Sequence, residues 1–328
     1  MKPRILVTRT LVDELLDELR RHFEVDDSQP RDGPHSADEL RSRIADKDGV
    51  LLFADRVDAA LLDAAPRLKA ACNITVGYNN VDVAACTARG ILVTNAPGVL
   101  DDTTADMTWA LLLAAARRIA ESDRWLRAGN WKGMKFSDRF GRDVHHATLG
   151  ILGMGRIGRA VARRAVGFDM RVIYHNRTRL ESALETEANA RYVGMDELLA
   201  QSDFLSLHLP YTEANRNVIG AVELARMKPT AILVNASRGG LVDEPALIAA
   251  LREGRVAGAA LDVFDGEPTV NRGFLGLDNV VLAPHMGSAT RATRLAMARL
   301  AIENLMEALA GGVPRCLVNP EALARRRG

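Results

Sequence analysis

Residues 148–178 constrain this chain more than any other stretch. They read TLGILGMGRIGRAVARRAVGFDMRVIYHNRT. The apolar run 148–152 predicts a buried strand that stops at Gly153. Gly153, Gly155 and Gly158 then give G-x-G-x-x-G, residues 159–167 keep helical apolar spacing, and 171–174 make a second strand. Strand, glycine turn, helix and strand form one βαβ unit. The first glycine permits the tight turn, the second lets backbone approach a pyrophosphate, and the third lets helix pack on strand. A diphosphate there would meet unpaired N–H groups at the positive end of the helix dipole. A glycine turn that binds nothing would not need this surrounding unit, so the reading is a dinucleotide site.

The end of the second strand bears on which dinucleotide. An NAD site carries Asp or Glu about 20 residues past the glycines, bonded to the ribose 2′-hydroxyl. Here the chain reads Asn176-Arg177-Thr178-Arg179 in that place, with no acid before Glu181. Arginine suits a 2′-phosphate through its planar, charge-assisted fork. The plainer account is a solvated basic turn. Beside the fingerprint the stretch favours NADP(H), with NAD(H) use left open.

A length of 328 residues suits two domains rather than one core. Apolar residues at 48% and charged residues at 26% mark a globular chain. A formal net charge of +1 gives no sign of a nucleic-acid or membrane partner. No N-terminal stretch reads as a signal peptide, and no apolar run approaches the length of a membrane span. Cys72, Cys86 and Cys316 show neither paired count nor C-x-x-C spacing, which points to a reduced, cytoplasmic setting without a metal site.

The pattern before the glycine turn alternates: strands at 4–8, 49–53, 68–74 and 91–93, helices at 11–19, 38–44, 57–64 and 81–88. Residues 26–34 break it as a loop. A long helix follows to about Ile119, with Thr103 or Thr104 as its cap, then a shorter one to Leu126. After Thr178 come strands at 203–208, 231–235, 258–263 and 279–283, with helices at 196–200, 223–227 and 243–251. The last helix, 290–310, stops at Gly311-Gly312. This predicts two parallel-sheet α/β domains, a Rossmann dinucleotide-binding domain at 103–284 and a flavodoxin-like domain formed by 1–102 and 285–328. The first crossing lies at 95–103.

Three polar clusters follow apolar strands directly: NASRGG at 235–240, DVFDGEP at 262–268 and PHMGS at 284–288. Ligands of open α/β sheets sit beyond the carboxyl ends of the strands. Arg238, Glu267 and His285 are therefore all aimed at that rim. Hydride transfer to a ketone needs a proton for the developing alkoxide, and His is the usual donor near neutrality. A carboxylate on its other nitrogen fixes the tautomer, and an Arg can hold a carboxylate and polarise the adjacent carbonyl. Taken singly, each has a plainer account: a core histidine, a solvated arginine, a surface acid. Three complementary strand-end residues beside a cofactor fingerprint favour catalysis.

In order, GMGRIG, NASRGGLVDE, LDVFDGEP and APHMGSAT resemble the D-isomer-specific 2-hydroxyacid dehydrogenases, and VGYNNVDV and NAPGVLDDTTAD extend the resemblance over essentially the whole chain. NRTR and GRDVHHATLG look like its NADP-dependent branch of glyoxylate/hydroxypyruvate and 2-ketogluconate reductases. The resemblance implies that His285 is the general acid/base, Glu267 its partner and Arg238 the carboxylate and carbonyl anchor. It implies that N–H groups of Val76 and Gly77 hold the substrate carboxylate and that Phe53 lines the substrate pocket. Cofactor contacts are expected at Gly153, Met154, Gly155, Arg156, Ile157 and Gly158, and at Asn176, Arg177 and Thr178. Others are expected at Thr104, Ala236, Ser237, Asp262 and Gly287 on the nicotinamide side. His208, Leu209, Pro210 and Thr212 complete the set on the adenosine side.

Many relatives send a Trp from the neighbouring subunit into the active site. Trp131 is close, but Met134 stands at the aligned position, which bears on substrate size and not on the reaction. The family pairs through the region around 103–150, so a homodimer is expected. Closure of the two domains, hinged near 95–103 and 284–290, would exclude water. Two alternatives share the scaffold: a nucleotide-sensing corepressor that does no chemistry, and a phosphite or formate dehydrogenase. Formate enzymes tend to carry Gln where this chain has Glu267.

Overall fold

The computed structural model describes residues 2–27, 35–53, 55–137 and 139–326. The greater part of the expected 26–34 loop lies outside them. The chain divides into two compact units, 1–100 with 290–328, and 101–289.

In the first unit five parallel strands, β1 (Arg4–Val7), β2 (Glu24–Asp27), β3 (Gly49–Leu52), β4 (Ala70–Asn73) and β5 (Leu92–Thr94), lie in the order β2-β1-β3-β4-β5. This is the flavodoxin-like order, whose direction reverses between β1 and β3. The central strands are buried on both faces, which is why they read as unbroken apolar runs. The helix Arg291–Leu309 packs on β3, β4 and β5 of this sheet. Its N-terminus is capped by Thr290, whose hydroxyl accepts the Thr293 N–H at 3.2 Å. At its C-terminal end the Ala308 carbonyl, and those of Gly311 and Gly312 beyond it, accept from the Arg326 guanidinium.

The second unit holds seven parallel strands: β6 (Thr148–Leu152), β7 (Arg171–His175), β8 (Ala190–Tyr192), β9 (Phe204–Leu207), β10 (Ile232–Asn235), β11 (Gly258–Leu261) and β12 (Val280–Leu282). Their order, β12-β11-β10-β9-β6-β7-β8, is the Rossmann order with one strand added at the β11 edge. It reverses between β6 and β9. Apolar clusters cover both faces. One gathers Leu205, Leu233, Leu247 and Phe274, the other Trp109, Val161, Tyr174 and Phe204. Trp109 stacks on Phe168 at 4.8 Å and donates its indole N–H to the Val161 carbonyl at 3.1 Å, tying the helix Asp101–Ala116 to the helix Arg156–Ala165.

Several expectations are corrected. Residues 24–27, read in part as loop, form β2. Their sequence, EVDD, carries no apolar run because this edge strand pairs only with β1. Residues 182–192, passed over as connection, form the helix Ser182–Glu187 and β8, again a short edge strand. The long helix begins at Asp101, so Thr103 and Thr104 lie inside it and not at its cap position. Residues 285–289 group with the second unit and not with the last helix, because Met286 and Gly287 donate their N–H groups to Asp262 at 2.6 and 2.7 Å. Cys72 and Cys86 are buried, and burial pushes both thiols up to about 12. No helix among the described residues is long and apolar enough to cross a membrane.

Candidate active site

The glycine turn after β6 shows three different uses of a missing side chain. Gly153 has φ +103°, and a Cβ there would meet the His208 and Leu209 backbone at 2.7–2.8 Å. A Cβ at Gly158 would lie 2.4 Å from the Gly153 carbonyl oxygen, so this glycine lets helix approach strand. At Gly155 a Cβ would meet nothing within 4 Å. Gly155 also heads the helix Arg156–Ala165, which has no side-chain cap and no acid in its first turn. Open space at a glycine, in front of uncapped N–H groups at a helix N-terminus, fits a diphosphate. Arg156 and Ile157 begin this helix. The Met154 side chain is in the core, and its N–H donates to the Asn176 Oδ1 at 2.7 Å.

That bond gives Asn176 a structural task, fastening the β7 end to the glycine turn. Arg177 and Thr178 are exposed beside it. His208 is half-buried against Gly153, with its ring 2.8 Å from the Ser206 hydroxyl, and burial pushes its imidazole down to about 4. The Leu209 carbonyl accepts the Ser237 hydroxyl at 2.5 Å, and the Pro210 carbonyl accepts the Asn215 amide at 2.6 Å. Thr212 caps the short turn Glu213–Asn215. These four residues therefore edge the turn at the reversal point between β6 and β9.

Beyond β10, β11 and β12 the three polar clusters meet. The His285 Nδ1 lies 2.7 Å from the Glu267 Oε2. With Nδ1 engaged, Nε2 is the nitrogen left to carry a proton to a substrate oxygen. His285 sits at φ +53°, a region non-glycine residues rarely enter, held there by its N–H on the carbonyls of Asp262 at 2.8 Å and Ala283 at 3.1 Å. Burial works to raise the Glu267 carboxyl. The His285 hydrogen bond and charge, the Phe264 N–H and the Arg238 charge overcome it and hold the group below its ordinary value. Burial lowers the Arg238 guanidinium, opposed by the Glu267 charge, and an arginine stays protonated under either influence.

Asp262, almost fully buried, accepts from both Met286 and Gly287, although burial raises its carboxyl. A Cβ on Gly287 would touch Asp262 at 3.2 Å and Thr104 at 3.5 Å, so those three residues converge, and Ala236 is buried at the end of β10.

Some residues that build this arrangement were not singled out by sequence reasoning. Asn235 is buried. Its amide donates to the Arg238 carbonyl at 2.9 Å and its oxygen accepts the Ser237 N–H at 3.0 Å, which shapes the Arg238 loop. At Gly239 a Cβ would lie 1.9 Å from the Phe264 carbonyl carbon, so the loops after β10 and β11 touch only because that side chain is missing. A buried polar residue closing an apolar strand was the available signal.

In the first unit, the Val76 carbonyl accepts the Asn95 amide at 2.7 Å and the Gly77 carbonyl accepts the Thr75 hydroxyl at 2.8 Å. Their N–H groups have no acceptor among the described residues. Phe53 lies under the Arg294 guanidinium at 5.1 Å and follows the end of β3.

A family model described as "D-isomer specific 2-hydroxyacid dehydrogenase, NAD binding domain" matches residues 109–287. The glyoxylate reductase of Korarchaeum cryptofilum is 48% identical over 99% of this chain and 98% of its own. The glyoxylate/hydroxypyruvate reductase B of Shigella boydii is 46% identical over 98% and 99%. Among solved structures, a protein of Thermus thermophilus superposes with TM-score 0.89 at 43% identity, covering 96% of this chain and 99% of that one. The NADPH-dependent glyoxylate/hydroxypyruvate reductase of Sinorhizobium meliloti, in complex with NADP and malonate, superposes with TM-score 0.86 at 35% identity over 100% of both chains. With the glycine cradle and the Arg238, Glu267 and His285 cluster in one unit, these matches settle the lineage: the chain belongs to the D-isomer-specific 2-hydroxyacid dehydrogenase family.

Proposed function

We propose that this protein is an NADPH-dependent reductase that converts a small 2-ketoacid, such as glyoxylate, hydroxypyruvate or 2-ketogluconate, to the D-2-hydroxy acid. The observation that carries the reading is the 2.7 Å pair of His285 and Glu267, in the electrostatic reach of Arg238 and in the same unit as the glycine cradle. The names and cofactor of the relatives support it. In this reading 101–289 is the dinucleotide-binding domain and 1–100 with 290–328 the substrate-binding domain.

A dihydronicotinamide held at the glycine turn would supply the hydride for the keto carbon. Arg238 holds the carboxylate and polarises the carbonyl. His285 gives the Nε2 proton to the developing alkoxide, while Glu267 steadies the imidazolium that precedes that transfer. Thr104, Ala236, Asp262 and Gly287 would border the nicotinamide. Arg177 and Thr178 would meet the 2′-phosphate.

The test is loss of NADPH absorbance with each ketoacid, repeated with NADH and with His285→Ala. Turnover faster with NADPH and a fall of about 10²–10⁴-fold in kcat for the variant are expected. Tight NADPH binding without turnover on any ketoacid would sink the reductase reading in favour of a sensor.

The same proposal includes a homodimer. Residues 119–140 expose Ile119, Leu126, Trp131, Met134, Phe136 and Phe140 in one stretch, Met134 at 90% and Phe136 at 97%. Six large apolar side chains exposed within one stretch suit an isologous contact. Sedimentation at micromolar concentration checks it, and a monomer there would contradict it.

A further inference from the structure

The turn after β7 carries two arginines, and the structure treats them differently. Arg179 is bound bidentately: its Nε donates to the Glu185 Oε1 and its Nη2 to the Glu185 Oε2, both at 2.8 Å. Glu185 is itself mostly buried and also accepts the hydroxyl of Tyr174 at 2.6 Å. Tyr174 is fully buried, and its hydroxyl oxygen accepts the Leu180 N–H at 3.0 Å. Tyr192 packs edge-on against Tyr174 at 5.4 Å, and its hydroxyl donates to the Asn176 carbonyl at 3.3 Å. Both ends of the 176–180 turn are thus fastened by a tyrosine. Arg177, between them, is exposed and has no acidic partner among the described residues.

A doubly charged phosphate brought to Arg179 would also face the Glu185 carboxylate, since the two share a parallel pair of hydrogen bonds. Attraction and repulsion at such a pair largely cancel. At Arg177 nothing offsets the attraction, and the guanidinium fork is free to engage two phosphate oxygens.

We propose that the two arginines divide the labour: of the two, Arg177 reads the 2′-phosphate, while Glu185 retains Arg179 as a clamp on the turn and thereby limits how strongly the site prefers NADP over NAD. This rests on the NADPH reading above. It makes Glu185, a residue that need touch no ligand, a determinant of cofactor choice. Glutamine keeps one oxygen, which can still accept the Tyr174 hydroxyl, and sets an NH2 against the Arg179 Nη2, so Glu185→Gln removes the charge and breaks the bidentate clamp while leaving the Tyr174 contact.

The experiment measures dissociation constants for NADP⁺ and NAD⁺ by calorimetry on the intact protein and takes their ratio, which cancels any shared loss from a loosened fold. Wild type should favour NADP⁺ by about tenfold or more, an energy that one charge-assisted phosphate contact supplies. Arg177→Ala should bring the ratio near one. Arg179→Ala should leave it within about threefold of wild type. Glu185→Gln should raise it severalfold, and on the Arg177→Ala background should restore part of the lost preference by releasing Arg179. Equal losses from Arg177→Ala and Arg179→Ala would overturn the division of labour, as would a Glu185→Gln ratio at or below wild type. A wild type that binds NAD⁺ at least as tightly overturns the NADPH reading itself, and this inference with it, before any variant is made.

Discussion

Both sheets reverse direction beside their first strand, yet only one of the two turns at that point is open to a diphosphate. After β6 the chain has Gly153 at φ +103° and Gly155 facing free space, and the following helix begins with no acid in its first turn. After β1 it has Thr8 and Arg9. The Thr8 hydroxyl donates to the Asp55 Oδ2 at 2.5 Å and the Arg9 guanidinium to the Asp55 Oδ1 at 2.7 Å, with Asp55 buried between them. The helix beyond, Asp13–His22, carries Asp13 and Glu14 in its first turn. Its positive end is thus already served by its own carboxylates. The topology offers an anion site twice. Side chains close one and their absence leaves the other open.

The largest effect should come from Gly153→Ala. The new methyl would meet backbone atoms of His208 and Leu209 at 2.7–2.8 Å, in a backbone region that alanine disfavours. We expect a loss of about 3 kcal/mol or more in stability together with loss of cofactor binding. Thermal unfolding with and without NADPH reads both. An unchanged Tm would mean that the turn relaxes and that glycine is not required there.

Asp55→Ala attacks the closed turn. It removes the carboxylate that the Thr8 hydroxyl and the Arg9 guanidinium share, while the Asn80 amide keeps its bond to the Asp55 backbone carbonyl at 2.8 Å. The expected cost is about 2 kcal/mol, the scale of hydrogen bonds to a charged group, with NADPH affinity unchanged. A variant that lost cofactor affinity in step with stability would break the contrast between the two turns. Gly155→Ala sharpens it from the other side. Open space around that position predicts stability within about 1 kcal/mol of wild type, while the methyl stands where the diphosphate would lie and costs about tenfold in affinity.

The same contrast explains how much was legible in the chain. The glycine spacing, the buried strands and the three polar strand ends follow from local rules, so Arg238, Glu267 and His285 could be named from the sequence. Glu24–Asp27 and Ala190–Tyr192 could not be read, because an edge strand pairs on one side only and needs no apolar run. The closing of the first turn was also hidden. Thr8 and Asp55 lie 47 positions apart, and only the pairing of β1 with β3 brings them together. The burial of Met154 was hidden for a related reason. Its place in the motif says nothing of where its side chain goes, and packing decides that. Asn176 was read for its missing charge, while the structure also uses its oxygen to fasten the glycine turn.

The smallest expected effect concerns the His285–Glu267 pair. Glu267 is held below its ordinary value of 4.5, so the folded state binds its proton less readily than the unfolded chain does. The pair therefore contributes stability that is fully present above that ordinary value and is lost as pH falls through the depressed one. The Glu267 side chain keeps 32% of its exposure and that of His285 50%, so solvent screens the pair and its share stays below about 1 kcal/mol. Comparing wild type with Glu267→Gln by thermal unfolding should show a small wild-type advantage near neutrality that disappears below the ordinary carboxylate range. The acid limb of the reduction rate should fall in the same low window, since the ionised Glu267 carboxylate is what holds the His285 ring through its Nδ1. A stability difference that stays constant from neutrality down to roughly pH 3 would show that the carboxylate serves His285 by shape alone and not by charge.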